Sequence, residues 1–478
     1  MAKRGTLERV EQGNDRDGVA EAGGVAGAVG WVTAGSMVAN VCAYVVHLAA
    51  GRWWLSPDEY GEFAVLLSAQ LVLAVPGLAI QAVVARDVVR GRDLNALRRL
   101  TVATVVAVAV LAVVATPAVA AITSTSVAAS AAALASAPAL ALIGAGQGVV
   151  QGLRRFRVLA AMLAGVGVAR LVPVMVALAV GAGPAGGLLI GSVGAWAAAV
   201  VVAVVSIRPR LAARSTRPAE DAPSRWSSRV RSASGGPVSR PLTDLLDVAR
   251  AGQVQLVLIV ASSADLLLSR HVLTASVAGV YALGAIATKV AFWLPQAIGV
   301  VFYPRLAHPA SSGRSLRQAV FVVTVVGAVL TVAAGVAGPL VPVLVTDDYR
   351  ALTSVLWLFA YTGAAWAVLQ VALLSAIARN ATSASVITWV VVGVEVVVIV
   401  VMRPDSIVGL AVIAAAAATV SAVTTTLWCL RAGRRGSGRR RAGRRVEGAD
   451  LPGAAASVTP SVEPTSGTGA GAGPMAGA

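Results

Sequence analysis

The chain has 478 residues, 57% of them hydrophobic and only 13% charged, with a mean hydropathy of +0.79. A soluble domain carries about 25% charged residues, so the composition excludes one and points to a core closed by lipid. The net charge of +17 is confined to gaps and tails between hydrophobic runs, which excludes a nucleic-acid partner and predicts contact with anionic lipid.

The N-terminal tail, 1–24, is too charged for a cleaved signal peptide, so the first hydrophobic run is expected to act as an uncleaved anchor. A spanning helix needs about 20 mostly apolar residues. Twelve runs qualify: 25–50, 60–85, 100–122, 126–151, 158–181, 184–206, 245–269, 278–303, 318–342, 351–377, 384–402 and 407–430. Of the 39 basic residues, 32 fall in every second gap between these runs. Arg52, Arg270, Arg350 and Arg403 lie in the intervening gaps, and Arg170, Arg250 and Lys289 lie inside runs. That alternation is the positive-inside pattern, and it predicts both termini in the cytoplasm.

The gap 207–244 holds eight arginines among Ser, Pro and Gly and is expected to pack no core. The tail 431–478 turns from Arg-rich to Ala/Gly/Pro-rich and is expected to be disordered. The two cysteines, Cys42 and Cys429, sit in apolar runs and support neither a disulfide framework nor a metal site. No cofactor is expected.

The central linker divides the runs six and six, giving lobes at 25–206 and 245–430. At a constant offset, Leu55 matches Leu273, Gly61 matches Gly279, Phe63-Ala64 matches Tyr281-Ala282, and Ala79-Ile80 matches Ala297-Ile298. Both copies cross the membrane in one direction, so the repeat is parallel. Transporters built this way bind cargo between their halves and alternate access. Pro76, Pro117, Pro138, Pro173 and Pro295 fall inside runs and predict kinks. Gly144-Ala-Gly-Gln-Gly148 follows no strand and reads as close helix packing.

The segment from Leu55 to Phe63 (LSPDEYGEF), with Pro76 and Val84-Ala-Arg86 behind it, resembles the first two helices of polysaccharide flippases. Asp265 to Arg270 (DLLLSR), Ala278-Gly-Val-Tyr281, Leu294-Pro295 and Phe302-Tyr-Pro-Arg305 are similar to their seventh and eighth helices. The group is the multidrug/oligosaccharidyl-lipid/polysaccharide (MOP) exporter superfamily, and the resemblance covers about residues 25–430. It implies an all-α polytopic fold of two parallel six-helix lobes around a central cavity. It further implies flipping of a polyprenyl-pyrophosphate-linked oligosaccharide across a bacterial cytoplasmic membrane, with envelope-synthesis proteins as partners.

A cation at bilayer centre costs about 2.5–3.5 kcal/mol on insertion scales and so faces a cavity or a partner. Arg170 has no acid in helices three to six to pair with and is assigned to the substrate cavity. Lys289 has two readings: the cavity, or an ion pair with Glu395. Arg250 either faces the cavity, snorkels, or pairs with Asp247. Asp265, with Arg270 nearby, either closes an outer gate by pairing with a cation or orients a loop. Thr33, Ser36, Asn40, Tyr44 and His47 share one helical face, as do Gln70 and Gln81, for sugar hydroxyls or for interhelical hydrogen bonds.

The leading function is a lipid-linked oligosaccharide flippase. One alternative is a multidrug-type small-molecule exporter on the same fold. Against it, the first run has Asn40 and no acid where cation-coupled extruders of that type keep a carboxylate. The other alternative is a non-transporting membrane scaffold. No G-x-x-x-x-G-K-[ST] occurs and no catalytic constellation is present, so no enzyme is expected.

Overall fold

Among the described residues of the computed structural model, twelve helices are long and apolar enough to cross a membrane. The structure describes residues 30–215, 241–293, 312–378 and 384–449. The spans are α1 Gly30–Trp54, α2 Pro57–Val89, α3 Leu94–Thr123, α4 Val127–Gly152, α5 Phe156–Ala179 and α6 Gly183–Ile207. They continue as α7 Gly252–Val272, α8 Ala275–Trp293, α9 Leu316–Leu344, α10 Leu356–Ala376, α11 Ala384–Met402 and α12 Ile407–Arg431. All twelve coincide with the hydrophobic runs, and no strand occurs among the described residues. The reason is local: in lipid every backbone polar group must be satisfied within its own helix.

Several helices run past the expected edges. That of α6 continues to Ser215, that of α7 begins at Pro241, and that of α12 continues to Ala449. The last departs from expectation: residues 432–449 are helical where composition predicted a structureless tail, although five of these 18 residues are glycines. Residues to Arg431 form one compact unit, and those from Ala432 a second. The tail 1–24, the linker core 216–240, Pro295, Phe302–Arg305 and the stretch beyond 449 lie outside the described residues.

The prolines divide into two kinds. Pro76 follows a break in α2 at Ala74, and Pro138 follows a break in α4 at Ala135–Ser136. Pro117 and Pro173 lie within continuous helix. A further break, at Ser262–Ser263 in α7, involves neither proline nor glycine.

The helix α2 packs on both α7 and α8, which ties the two sequence halves together. It begins with a capping box, in which Ser56 and Glu59 satisfy each other's backbone N–H groups and Pro57 occupies the first turn. At its core contact Gly61 faces Gly279, its partner in the internal repeat; a Cβ on Gly61 would stand 2.9 Å from the Gly279 Cα. The Gly144 side of α4 lies against α2 in the same manner, and a Cβ there would collide with the Gly77 carbonyl.

Two arginines join the halves at the arginine-poor face. Arg52 ends α1 in a π-helical turn, Ala50–Trp54, and donates to the Val343 and Val345 carbonyls at 2.9 and 2.6 Å. Arg270 ends α7 and donates to both the carbonyl and the carboxylate of Asp58, each at 2.9 Å.

Candidate functional site

A cavity of about 430 Å³ opens among α1, α2, α4, α5, α6 and α8, within the range of small-molecule sites. Its wall holds Arg170 and Lys289 and, among the described residues, no acidic side chain. Asn40, Tyr44 and His47 of the polar stripe on α1 line it, whereas Thr33 and Ser36 of that stripe do not. Gln70 lines it from α2, while Gln81 is spent on a hydrogen bond to Gln151 of α4 at 3.0 Å. Ser68, which no sequence pattern singled out, and Gln147, within the Gly144–Gly148 segment read only as helix packing, complete the polar lining.

Arg170 is positioned through the broken helix α4. The break frees backbone carbonyls in a region without water, and polar side chains claim them. Ser192 donates to Ala132, Trp196 to Ala135, and Gln70 Nε2 to Ala133 at 3.1 Å and to the Ser136 hydroxyl. With its amide nitrogen committed there, Gln70 turns its Oε1 to Arg170, which donates to it at 2.6 Å. Gln70 is 4% exposed and Arg170 half-buried. Among the described residues Arg170 has no ion-pair partner, so its full charge faces the cavity.

Lys289 reaches the same cavity from α8, but its ammonium is held at the break in α7. It donates to the Ser262 carbonyl at 3.2 Å and to Ser263 Oγ at 2.6 Å. The ion pair with Glu395 is not formed, because α11 packs against α7 and α10. Glu395 is 3% exposed, and among the described residues neither carboxylate oxygen has a hydrogen-bond partner.

Asp265 and Arg270, close in sequence, do not pair with each other. Five residues apart on a helix place two side chains about 140° apart. Asp265 turns inward, where the Tyr281 hydroxyl donates to it at 2.5 Å, and Arg270 turns to Asp58 of the other half. His47 Nδ1 likewise shares a hydrogen bond with the Tyr60 hydroxyl at 3.0 Å. Arg250 lies on the helix leading into α7, but its side chain lies outside the described residues.

No family model and no curated protein matches the chain. Solved structures do. The lipid II flippase MurJ in its inward closed conformation overlaps with TM-score 0.60 at 9% identity, over 84% of this chain and 87% of that one. A multidrug resistance MATE family transporter of the MOP superfamily, inward-facing, overlaps with TM-score 0.59 at 13% identity, over 84% and 95%. A MOP superfamily transporter from Pyrococcus furiosus, described as having a binding pocket of reverse polarity that suggests a different function, overlaps with TM-score 0.50 at 15% identity, over 85% and 95%. Twelve spans in the same arrangement, interrupted where polar side chains can serve them, give this chain the fold of the MOP-superfamily transporters.

Proposed function

We propose that the protein flips an anionic lipid-linked oligosaccharide from the inner to the outer leaflet of a bacterial cytoplasmic membrane by alternating access. The observation that carries this reading is a cavity that bears two cations and, among the described residues, no acidic side chain. A pyrophosphate needs fixed donors and positive charge away from bulk water, which the guanidinium of Arg170 offers. Neutral groups such as Asn40, Gln147 and Tyr44 suit sugar hydroxyls. The cavity takes a head group and leaves a polyprenyl chain in the bilayer. Similarity to a lipid II flippase supports this cargo, and similarity to multidrug transporters supports small-molecule export. Arg170 and Lys289 together repel a cationic drug, which favours the former.

The positive-inside rule assigns the arginine-rich face and both termini to the cytoplasm, where the basic segments meet anionic lipid and any envelope-synthesis partner. The test is accumulation in cells lacking the protein. Lipid-linked oligosaccharide builds up on the inner leaflet if the reading holds, and an unchanged pool rejects it for that lipid.

On this orientation Arg52 and Arg270 hold the outer side shut. Cys42 lines the cavity and reports on its access. In a Cys429→Ala background, Arg270→Ala is expected to raise labelling of Cys42 by an impermeant maleimide added outside. The loss of about 1 kcal/mol corresponds to roughly fivefold in the open population. Arg350→Ala serves as control, because Arg350 pairs with Asp347 of its own loop. Equal labelling in both variants would remove Arg270 from the closure.

A further inference from the structure

One cation of this protein already sits at an interrupted membrane helix. Such interruptions are where transporters hold an alkali cation or proton, on carbonyls that the helix no longer uses. At the break in α7 the Ser262 carbonyl and the Ser263 hydroxyl both face an ammonium, that of Lys289. Asp265 lies two residues beyond this break and turns inward to the Tyr281 hydroxyl, and Glu395 lies on α11, which packs against α7. Glu395 is 3% exposed, with both carboxylate oxygens unpartnered. A carbonyl, a hydroxyl and two carboxylates, drawn from α7 and α11, are the oxygen donors suited to a hard cation. The compact charge on Lys289, delivered on a flexible stem from α8, occupies the place such an ion would take.

We propose that Lys289 is a tethered substitute for a coupling cation, so that the protein binds no sodium or potassium at this site. The role of Lys289 is then to keep Ser262, Ser263, Asp265 and Glu395 in the arrangement of a filled site. Release of the ammonium into the adjoining cavity would leave the site as an emptied cation site does in an ion-coupled carrier. The proposal concerns the cation and is independent of the cargo.

The test uses the full-length protein in detergent and measures thermal unfolding in sodium, potassium or choline chloride at equal ionic strength. Wild type is expected to unfold at one temperature in all three salts. Lys289→Ala is expected to unfold earlier in choline and to recover about 2–5 °C with saturating sodium or potassium, because an ion that binds only the folded state stabilises it. Adding Glu395→Gln to Lys289→Ala is expected to abolish that recovery. Lys289→Met keeps the length of the side chain and removes the ammonium, and it is read in the same way if Lys289→Ala yields no folded protein. A wild type stabilised by sodium over choline overturns the proposal. So does a folded Lys289 variant indifferent to all three salts.

Discussion

Replacing Arg170 with alanine is expected to reduce transport of a lipid-linked anionic cargo by about 10- to 100-fold. Hydrogen bonds to charged groups contribute about 1.5–3 kcal/mol, and each 1.4 kcal/mol is roughly tenfold. Arg170 donates to the neutral Gln70 and to no carboxylate, so its charge is not spent on a structural ion pair. Protein levels should therefore stay close to wild type. Arg170→Lys keeps the charge but loses the planar fork, and it is expected to fall between the two. Gln70→Leu should differ in kind. It leaves the Ala133 carbonyl without the Gln70 amide and removes the acceptor that aims Arg170, so both stability and transport should fall. The measurement is cargo flipping in proteoliposomes, normalised to folded protein. Normal flipping by Arg170→Ala would exclude it from the cargo site, while a parallel loss of folded protein would assign it a structural role.

The second large effect concerns folding. Gly279→Val is expected to eliminate most correctly folded protein. A Cβ at Gly279 falls on the Pro57 carbonyl oxygen, which belongs to the first turn of α2 and cannot rotate away as a side chain does. The helices α2 and α8 would have to separate at the contact that joins the two halves. Overpacking of this type costs about 1–3 kcal/mol where neighbours can adjust, and more where they are backbone. Gly393→Ala is the matched control, since nothing lies within 4 Å of a Cβ there. Removing a glycine from a helix interior should then leave stability equal or raise it by about 0.5–1 kcal/mol. Thermal unfolding followed by size exclusion in detergent distinguishes the two. A Gly279→Val protein as stable as wild type would mean that α2 and α8 do not meet at this distance.

The spans were legible because each is a local property. The site was legible in part. Arg170 stood out because a cation deep in an apolar run has no topological cause, and Asn40, Tyr44 and His47 stood out because their spacing keeps them on one face. Gln70 was legible as a polar lining residue but not as the link between Arg170 and α4. Nothing in the sequence marks the break at Ser262–Ser263, where neither proline nor glycine occurs. Pro138 marks the break in α4 but does not identify the side chains that answer it. Arg270 lies near Asp265 in sequence, but the helical angle between them sends it to Asp58, 212 residues away.

By itself, the sequence determined the number of crossings, the alternation of charge across the membrane and the internal repeat. These follow from the solvent: hydrocarbon demands about 20 apolar residues per crossing, and charge gathers at one edge. Only the tertiary structure decided where each buried polar group spends its hydrogen bonds. Arg170 reaches Gln70 across 100 residues, Lys289 closes the gap in α7, and Glu395 is left without a partner. Those outcomes depend on which helices are neighbours and how far each side chain reaches. Unlike hydropathy, neither quantity can be read along the chain.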